Sequence, residues 1–454
     1  MRILFVVHQF YPQFVSGTEQ FVLALARAGR ARGDDVRVFT VDPDFQNVDP
    51  PEQTARYEYL GVPVICQRFD KSAVRNHVYT DYHNPDVGPA FEQTLDEFQP
   101  EVVHVFHLRW VGIDRLEQIR SRGIPYLQHL MDFWFLCPNF LLLRLDGALC
   151  DGPPDQGLGC FDCVHHGIEP WAREDWAREQ NAPKYERGDA PEHDDAGVAA
   201  GFAMMRRSQL LAEALRRADW VFAPSATVRD VLARGGAAND NTELCGYGID
   251  REFLKDIPPA PTSRIVVGFV GTLAPHKGVD VLVEAFRGLV GDDLRLEIHG
   301  RFGDFPDFAE EVREAARADS RIEFAGVFER KDLAQVLGRL HLLVVPSRWR
   351  ENTPFVCLEG RAAGLPILVS DLPGMEEAVP DGRGRRFRTG DASDLRRALE
   401  EEISATRERG GRLPPDDSIP SITEQFEHFR ERYCSLSASS PPAPSSSAPS
   451  PDAT

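Results

Sequence analysis

Two segments far apart in this chain follow the same plan. "RILFVV" (Arg2 to Val7) and "RIVVGFVG" (Arg264 to Gly271) are short β-rich runs, each followed by a glycine-bearing loop and an amphipathic helical stretch. Strand, loop and helix in that order build parallel sheets, so the repetition predicts an α/β chain of two Rossmann-like domains. A length of 454 residues agrees, because one hydrophobic core seldom serves so many. In the first unit Ser16 and Glu19 have capping-box spacing, Phe21, Leu25 and Ala28 form a helical stripe, and Gly33 stands where a helix would stop. Parallel sheets bind ligands outside the carboxyl ends of their strands, so two units facing each other would share one cleft.

The chain divides into a first domain over residues 1–255 and a second over 256–415, with the boundary in "LKDIPPAPTS", where prolines preclude regular structure. A helix over 416–437 is expected to cross back to the first domain. The Ser- and Pro-rich remainder, 438–454, has too little apolar surface to order itself. A formal charge of −20 argues against nucleic acid as a partner, since neutralising phosphates needs a basic surface. No stretch approaches the roughly 20 apolar residues of a membrane span. A cytoplasmic location, at most at the inner face of the membrane, is the expectation. Eight cysteines suit a reducing compartment better than a disulfide scaffold.

The segment "PSRWRENTPFVCLEGRAAGLPILVSD" (Pro346 to Asp371) carries the most chemistry. Thr353 and Pro354 suit an N-cap and first helical position, and Gly364 a stop, giving a helix of about ten residues. Glu351 then precedes the helix and Glu359 lies inside it, roughly 8 to 12 Å away. First-turn amides between two carboxylates suit a ligand with a diphosphate and hydroxyls at either end, because amides bind phosphate oxygens and carboxylates accept from hydroxyls. Two acids that merely complement the helix dipole are the bland alternative.

The same segment resembles the family-4 retaining glycosyltransferases of the GT-B fold, in which a "PS" strand end is followed by two glutamates with seven residues between them. The likeness continues through "FVGTLAPHKGVDVLVEAF", "FAGVFERKDL", "APSATVRDVL" with "YGID", and "HQFYPQFVSGTEQFVLALARAGRARGDDV". It implies two domains facing each other across a cleft and transfer of a hexosyl unit (EC 2.4) from a nucleotide diphosphate sugar, with retention and no obligatory metal. A glycan or lipid-linked saccharide would be the acceptor. By resemblance Glu351 meets the donor sugar, Glu359 holds the ribose, and Lys277 neutralises the leaving diphosphate, as a preorganised ammonium does for developing negative charge. Asn352, Thr353, Pro354 and Phe355 would line the donor, with Gly17 letting backbone approach the phosphates and Val327 near the base. Asp132, His104 and His129 are the acceptor-side candidates.

This chain departs from the pattern at Thr272, where many members carry an arginine, and at Met131, in the position of a histidine. Arg348, Arg350 and Arg301 are the cations that would compensate for Thr272. An epimerase of the same architecture is one alternative, and the departures at Met131 and Thr272 keep a second open, a non-catalytic sugar-nucleotide binding protein. Cys137, Cys150, Cys160 and Cys163 are numerous enough to close a structural zinc site, with unrelated reduced thiols as the other reading. Met204, Leu211 and Leu215 share a helical face beside Arg206, Arg207, Arg216 and Arg217, which fits a core-facing helix or peripheral membrane contact.

Overall fold

The computed structural model describes residues 1–43, 53–71, 74, 76–160, 163 and 196–439. The polar stretch 167–195 and the tail beyond 439 lie outside them. Both echoed runs are strands: β1 (Arg2–Val6) and β9 (Ile265–Val270) are almost entirely buried, as continuous apolar runs in a two-sided sheet must be. Around β1 stand β2 (Asp35–Asp42), β3 (Thr54–Tyr59), β4 (Val62–Arg68), β5 (Val102–Val105), β6 (Tyr126–His129), β7 (Trp220–Ala223) and β8 (Thr242–Leu244). Their order is β3-β4-β2-β1-β5-β6-β7-β8, parallel throughout except for the antiparallel β3 edge.

The second sheet contains β9, β10 (Leu294–His299), β11 (Ile322–Gly326), β12 (Leu342–Val345), β13 (Ile367–Ser370) and β14 (Gly384–Phe387), ordered β11-β10-β9-β12-β13-β14 and wholly parallel. Strand order therefore reverses beside the first strand of each unit, between β1 and β5 and between β9 and β12. Such switch points open a crevice where the connections diverge to opposite faces.

Six helices concern the site: α1 (Gly17–Arg32), α2 (Ala196–Arg216), α3 (Ala226–Arg234), α4 (Val279–Arg287), α5 (Phe355–Ala362) and α6 (Ile422–Ser439). The expected limits of α1 are those observed: the Glu19 carboxylate accepts from the Ser16 amide at 2.6 Å, and Gly33 ends the helix at φ +99°. Met204, Leu211 and Leu215 of α2 are buried in the first lobe. Of its arginines, Arg207 is buried and donates to the Trp134 carbonyl and Arg216 donates to that of Gly236; Arg217, just past its end, pairs with Glu213. Among the described residues no helix is long and apolar enough to cross a membrane.

Residues 257–264 contain no helix or strand and lead into the second sheet. The chain returns through α6, whose Phe426, Phe429 and Tyr433 are buried in the first lobe's core. Phe426 lies so close to α1 that a Cβ on Gly29 would come within 2.6 Å of its ring. A parallel bridge between Ile249 and Ser421 joins the two crossings.

Candidate functional site

The site grows from the two strand ends at the second switch point. After β9 the chain turns through Pro275–Lys277, and Gly278 at φ +68° starts α4 against the backbone of Pro346. After β12 it runs through Ser347 to Asn352 before entering α5. These turns bring Lys277 Nζ to 2.7 Å from Glu351 Oε1. The same oxygen accepts from Ser347 Oγ at 2.6 Å and Trp349 Nε1 at 2.8 Å, while Lys277 Nζ stands 4.8 Å from the Trp349 ring centroid. Glu351 is thus a buried carboxylate held by three donors on one oxygen. Oε2 accepts none among the described residues.

Glu359 is also buried, one turn into α5, and Arg330 donates to its Oε1. Burial pushes the Glu359 carboxyl upward from the ordinary range, and Arg330 pulls it back. Between the two glutamates, Cys357 is buried; its thiol is pushed far up by burial first and then by the Glu351 carboxylate, with Lys277 opposing and Glu359 adding. Burial, with the neighbouring Lys277 ammonium, lowers the His276 imidazole to about 4.

The start of α5 differs from expectation. Pro354 is the N-cap, in extended conformation, and the helix begins at Phe355. The Thr353 hydroxyl donates to the Asn352 carbonyl instead of capping the helix. Asn352, expected to line the donor, turns its amide nitrogen to the first lobe: Nδ2 donates to the Met131 carbonyl at 2.6 Å and is 2.7 Å from the Tyr247 hydroxyl, while Oδ1 accepts from no described residue. Phe355 packs on Phe21 and Tyr247, with ring centroids 5.7 and 4.6 Å away. What approaches Gly17 is that phenylalanine, 2.9 Å from where a Cβ would stand. Further interlobe contacts come from Arg350 to Asp151, and from Glu377, which accepts from the Ala226 and Thr227 amides at the start of α3.

The cations proposed to compensate for Thr272 have other partners. Arg348 pairs with Asp280, Arg350 with Asp151, and Arg301 with Asp304. Val327 is exposed just beyond β11.

At the first switch point, the Asp132 carboxylate accepts the Trp134 amide at 2.8 Å and lies 3.1 Å from His107 Nε2. The His107 ring in turn stands 4.1 Å from that of His8, which follows β1. Burial, reinforced by His107 and Arg109, holds His8 well below the usual imidazole range. His104 and His129 are corrected as acceptor-side residues, because both have zero exposure. His104 bonds the Tyr433 hydroxyl of α6 at 2.5 Å, and His129 stacks on Tyr247 with neither ring nitrogen bonded. His104 lies within β5, whereas His107 stands two residues beyond its end. The covering helix, more than 300 positions away in sequence, decides which of the two faces the crevice.

Cys137, Cys150, Cys160 and Cys163 line one cavity of about 500 Å³ and are all free thiols. Cys160 is pushed up to about 12 by burial, with the other three adding to the shift. Among the described residues no three His, Cys, Asp or Glu side chains are gathered closely enough to hold a metal ion.

Comparison with known proteins matches two adjacent family models. Residues 16–248 fit the glycosyl transferase 4-like domain, and residues 250–409 fit glycosyl transferases group 1. A D-inositol 3-phosphate glycosyltransferase of Nocardia farcinica is 29% identical over 219 residues, 41% of this chain and 48% of that protein. An alpha-maltose-1-phosphate synthase of Mycolicibacterium smegmatis is 30% identical over 200 residues, 40% of this chain and 51% of its own. The chain spans about half the length of these curated relatives. Among solved structures, sucrose-phosphate synthase from Thermosynechococcus elongatus superposes with a TM-score of 0.66 at 17% identity, covering 97% of this chain and 100% of that one. Anabaena HepE, solved with UDP and glucose, gives 0.62 at 16% identity over 95% and 99%. At these identities the likeness is one of fold.

Proposed function

The chain belongs to the group 1, family-4-like glycosyltransferases of GT-B fold, and from that premise we propose that it transfers a hexosyl unit from a nucleotide diphosphate donor to a glycan or lipid-linked acceptor with retention. The observation that carries this reading is the 2.7 Å pairing of Lys277 with Glu351 at the β9/β12 switch point, beside the buried Glu359. Diphosphate departure develops negative charge, and an ammonium already fixed beside the leaving group stabilises it without reorganising. A metal is not required for that step.

In the proposed reaction the bond between the anomeric carbon and the diphosphate oxygen breaks as the acceptor oxygen bonds to the same face. The acceptor's proton passes to the departing diphosphate oxygen. Glu359 accepts hydrogen bonds from the nucleotide's ribose, and Glu351 presents its Oε2 to the donor sugar. In this reading Asp132, held by His107 and the Trp134 amide, serves the acceptor side. The interlobe contacts of Asn352 and Phe355 exclude water from the crevice. The four cysteines are assigned no part in the chemistry.

The test begins with thermal stabilisation by a panel of nucleoside diphosphates and their sugars, since a ligand specific for the folded state raises the melting temperature. The donor so identified is then turned over by the native chain and by Lys277→Ala and Glu351→Ala. Loss of turnover with the fold intact is expected. Unchanged turnover refutes the assignment, and a changed sugar from donor alone indicates an epimerase.

A further inference from the structure

Among the described residues Glu359 has one charged partner within hydrogen-bonding distance, and it comes from a different part of the lobe. Arg330 opens the turn Arg330–Asp332, after β11, and reaches across the strand ends to the carboxylate in α5. The Glu359 side chain is 7% exposed, whereas that of Arg330 is 43% exposed. The guanidinium thus bridges the buried acid and solvent. It stands 5.8 Å from the Phe253 ring and is near enough to Tyr11 of the first lobe to oppose the upward shift of that phenol. Arg348, Arg350 and Arg301 pair with Asp280, Asp151 and Asp304, whereas Arg330 pairs with Glu359, a proposed donor ligand.

We propose that Arg330 is a positioning residue for donor binding, fixing the Glu359 carboxylate so that it can accept both hydroxyls of the nucleotide's ribose. The inference rests on the reading of Glu359 as the ribose ligand. A cis-diol offers two O–H donors; an ionised carboxylate meets both as an acceptor, whereas a protonated one turns one of its oxygens into a competing donor. Burial alone works against that state. The groups facing Glu359 are Arg330, which favours ionisation, and Asp250 and Cys357, whose negative forms would oppose it. Take the guanidinium away and the carboxyl holds a proton at higher pH, becoming a donor on one oxygen. A plug behaves in the opposite way: if Arg330 merely occupied the ribose position, its removal would improve binding.

Calorimetric affinities for UDP, ADP and GDP, and for the 2′,3′-dideoxy form of whichever binds, separate these cases on the full chain between pH 6 and pH 9. The expected results are a loss of about tenfold or more for Arg330→Gln near neutral pH, recovery as pH rises, and partial rescue by Arg330→Lys. The native protein should vary less over the same range, and the dideoxy nucleotide should be nearly indifferent to the substitution. Equal or tighter binding by Arg330→Gln, or an equal loss with the dideoxy nucleotide, overturns the inference while leaving the transferase reading intact. If the native chain binds no nucleoside diphosphate of the panel described above, both fall. Partial exposure of Arg330 favours folding of the variant, which its melting temperature verifies.

Discussion

Replacing Trp349 with phenylalanine isolates one interaction at Glu351. The indole Nε1 donates to Oε1 at 2.8 Å, and the ring faces the Lys277 ammonium at 4.8 Å. Phenylalanine keeps an aromatic face for the ammonium but removes the N–H. A hydrogen bond to a charged acceptor contributes about 1.5–3 kcal/mol, whereas the cation–π contact contributes about 0.5–2 kcal/mol and is partly retained. Ser347 and Lys277 still hold Oε1, so the carboxylate stays bound but gains freedom to rotate. If its orientation matters in the transition state, kcat/KM for the identified donor should fall about 10- to 150-fold. Nucleoside diphosphate release measures that rate, and Trp349→Leu, which also removes the ring, should be somewhat worse. Phenylalanine within twofold of the native enzyme, with leucine strongly impaired, would show that the ring alone matters and would refute the argument from the N–H.

Two further outcomes concern the supports of α5 and Lys277. Burial pushes the Asp416 carboxyl upward, but the Ser418 hydroxyl and Arg361 of α5 hold it at about 2 against 3.8 unfolded. A depressed carboxylate adds stability that is complete above its unfolded value and disappears as pH falls through about 2; the difference is worth about 2 kcal/mol. Asp416→Asn should lose at least that much in urea unfolding at pH 7 and show a shallower decline below pH 4, so identical pH profiles would contradict the assignment. Gly278→Ala places a side chain at φ +68° against the Pro346 carbonyl, for which strain and overpacking predict roughly 2–4 kcal/mol of destabilisation. Donor turnover should fall with it, because the same turn aims Lys277; a melting temperature within a degree of the native value would count against this.

Local patterns in the sequence announced the frame and missed the cross-connections. The runs at Arg2 and Arg264 predict the two sheets because burial on both faces demands uninterrupted apolar residues, and the capping box at Ser16 reports on its own helix end. The pairing of Lys277 with Glu351 follows once both are placed at adjacent strand ends. Thr353 was misjudged as a cap because its hydroxyl found a nearer carbonyl. Asn352 and Arg330 carry no local signal: one depends on the backbone of Met131, the other on an acid 29 positions away. The preference of His107 over His104 was hidden for the same reason, since the helix that covers His104 comes last in the chain.

That late helix bears on how the protein is made. During synthesis the first sheet is complete before α6 emerges, so the aromatic surface destined for Phe426, Phe429 and Tyr433 waits uncovered. At about 5–20 residues per second, the translation of the intervening 177 positions between β8 and α6 leaves that face open for roughly 10–35 s. A nascent chain stalled before Ile422 would carry a nearly finished lobe with a sticky flank, a natural target for holdase chaperones and a ready seed for aggregation.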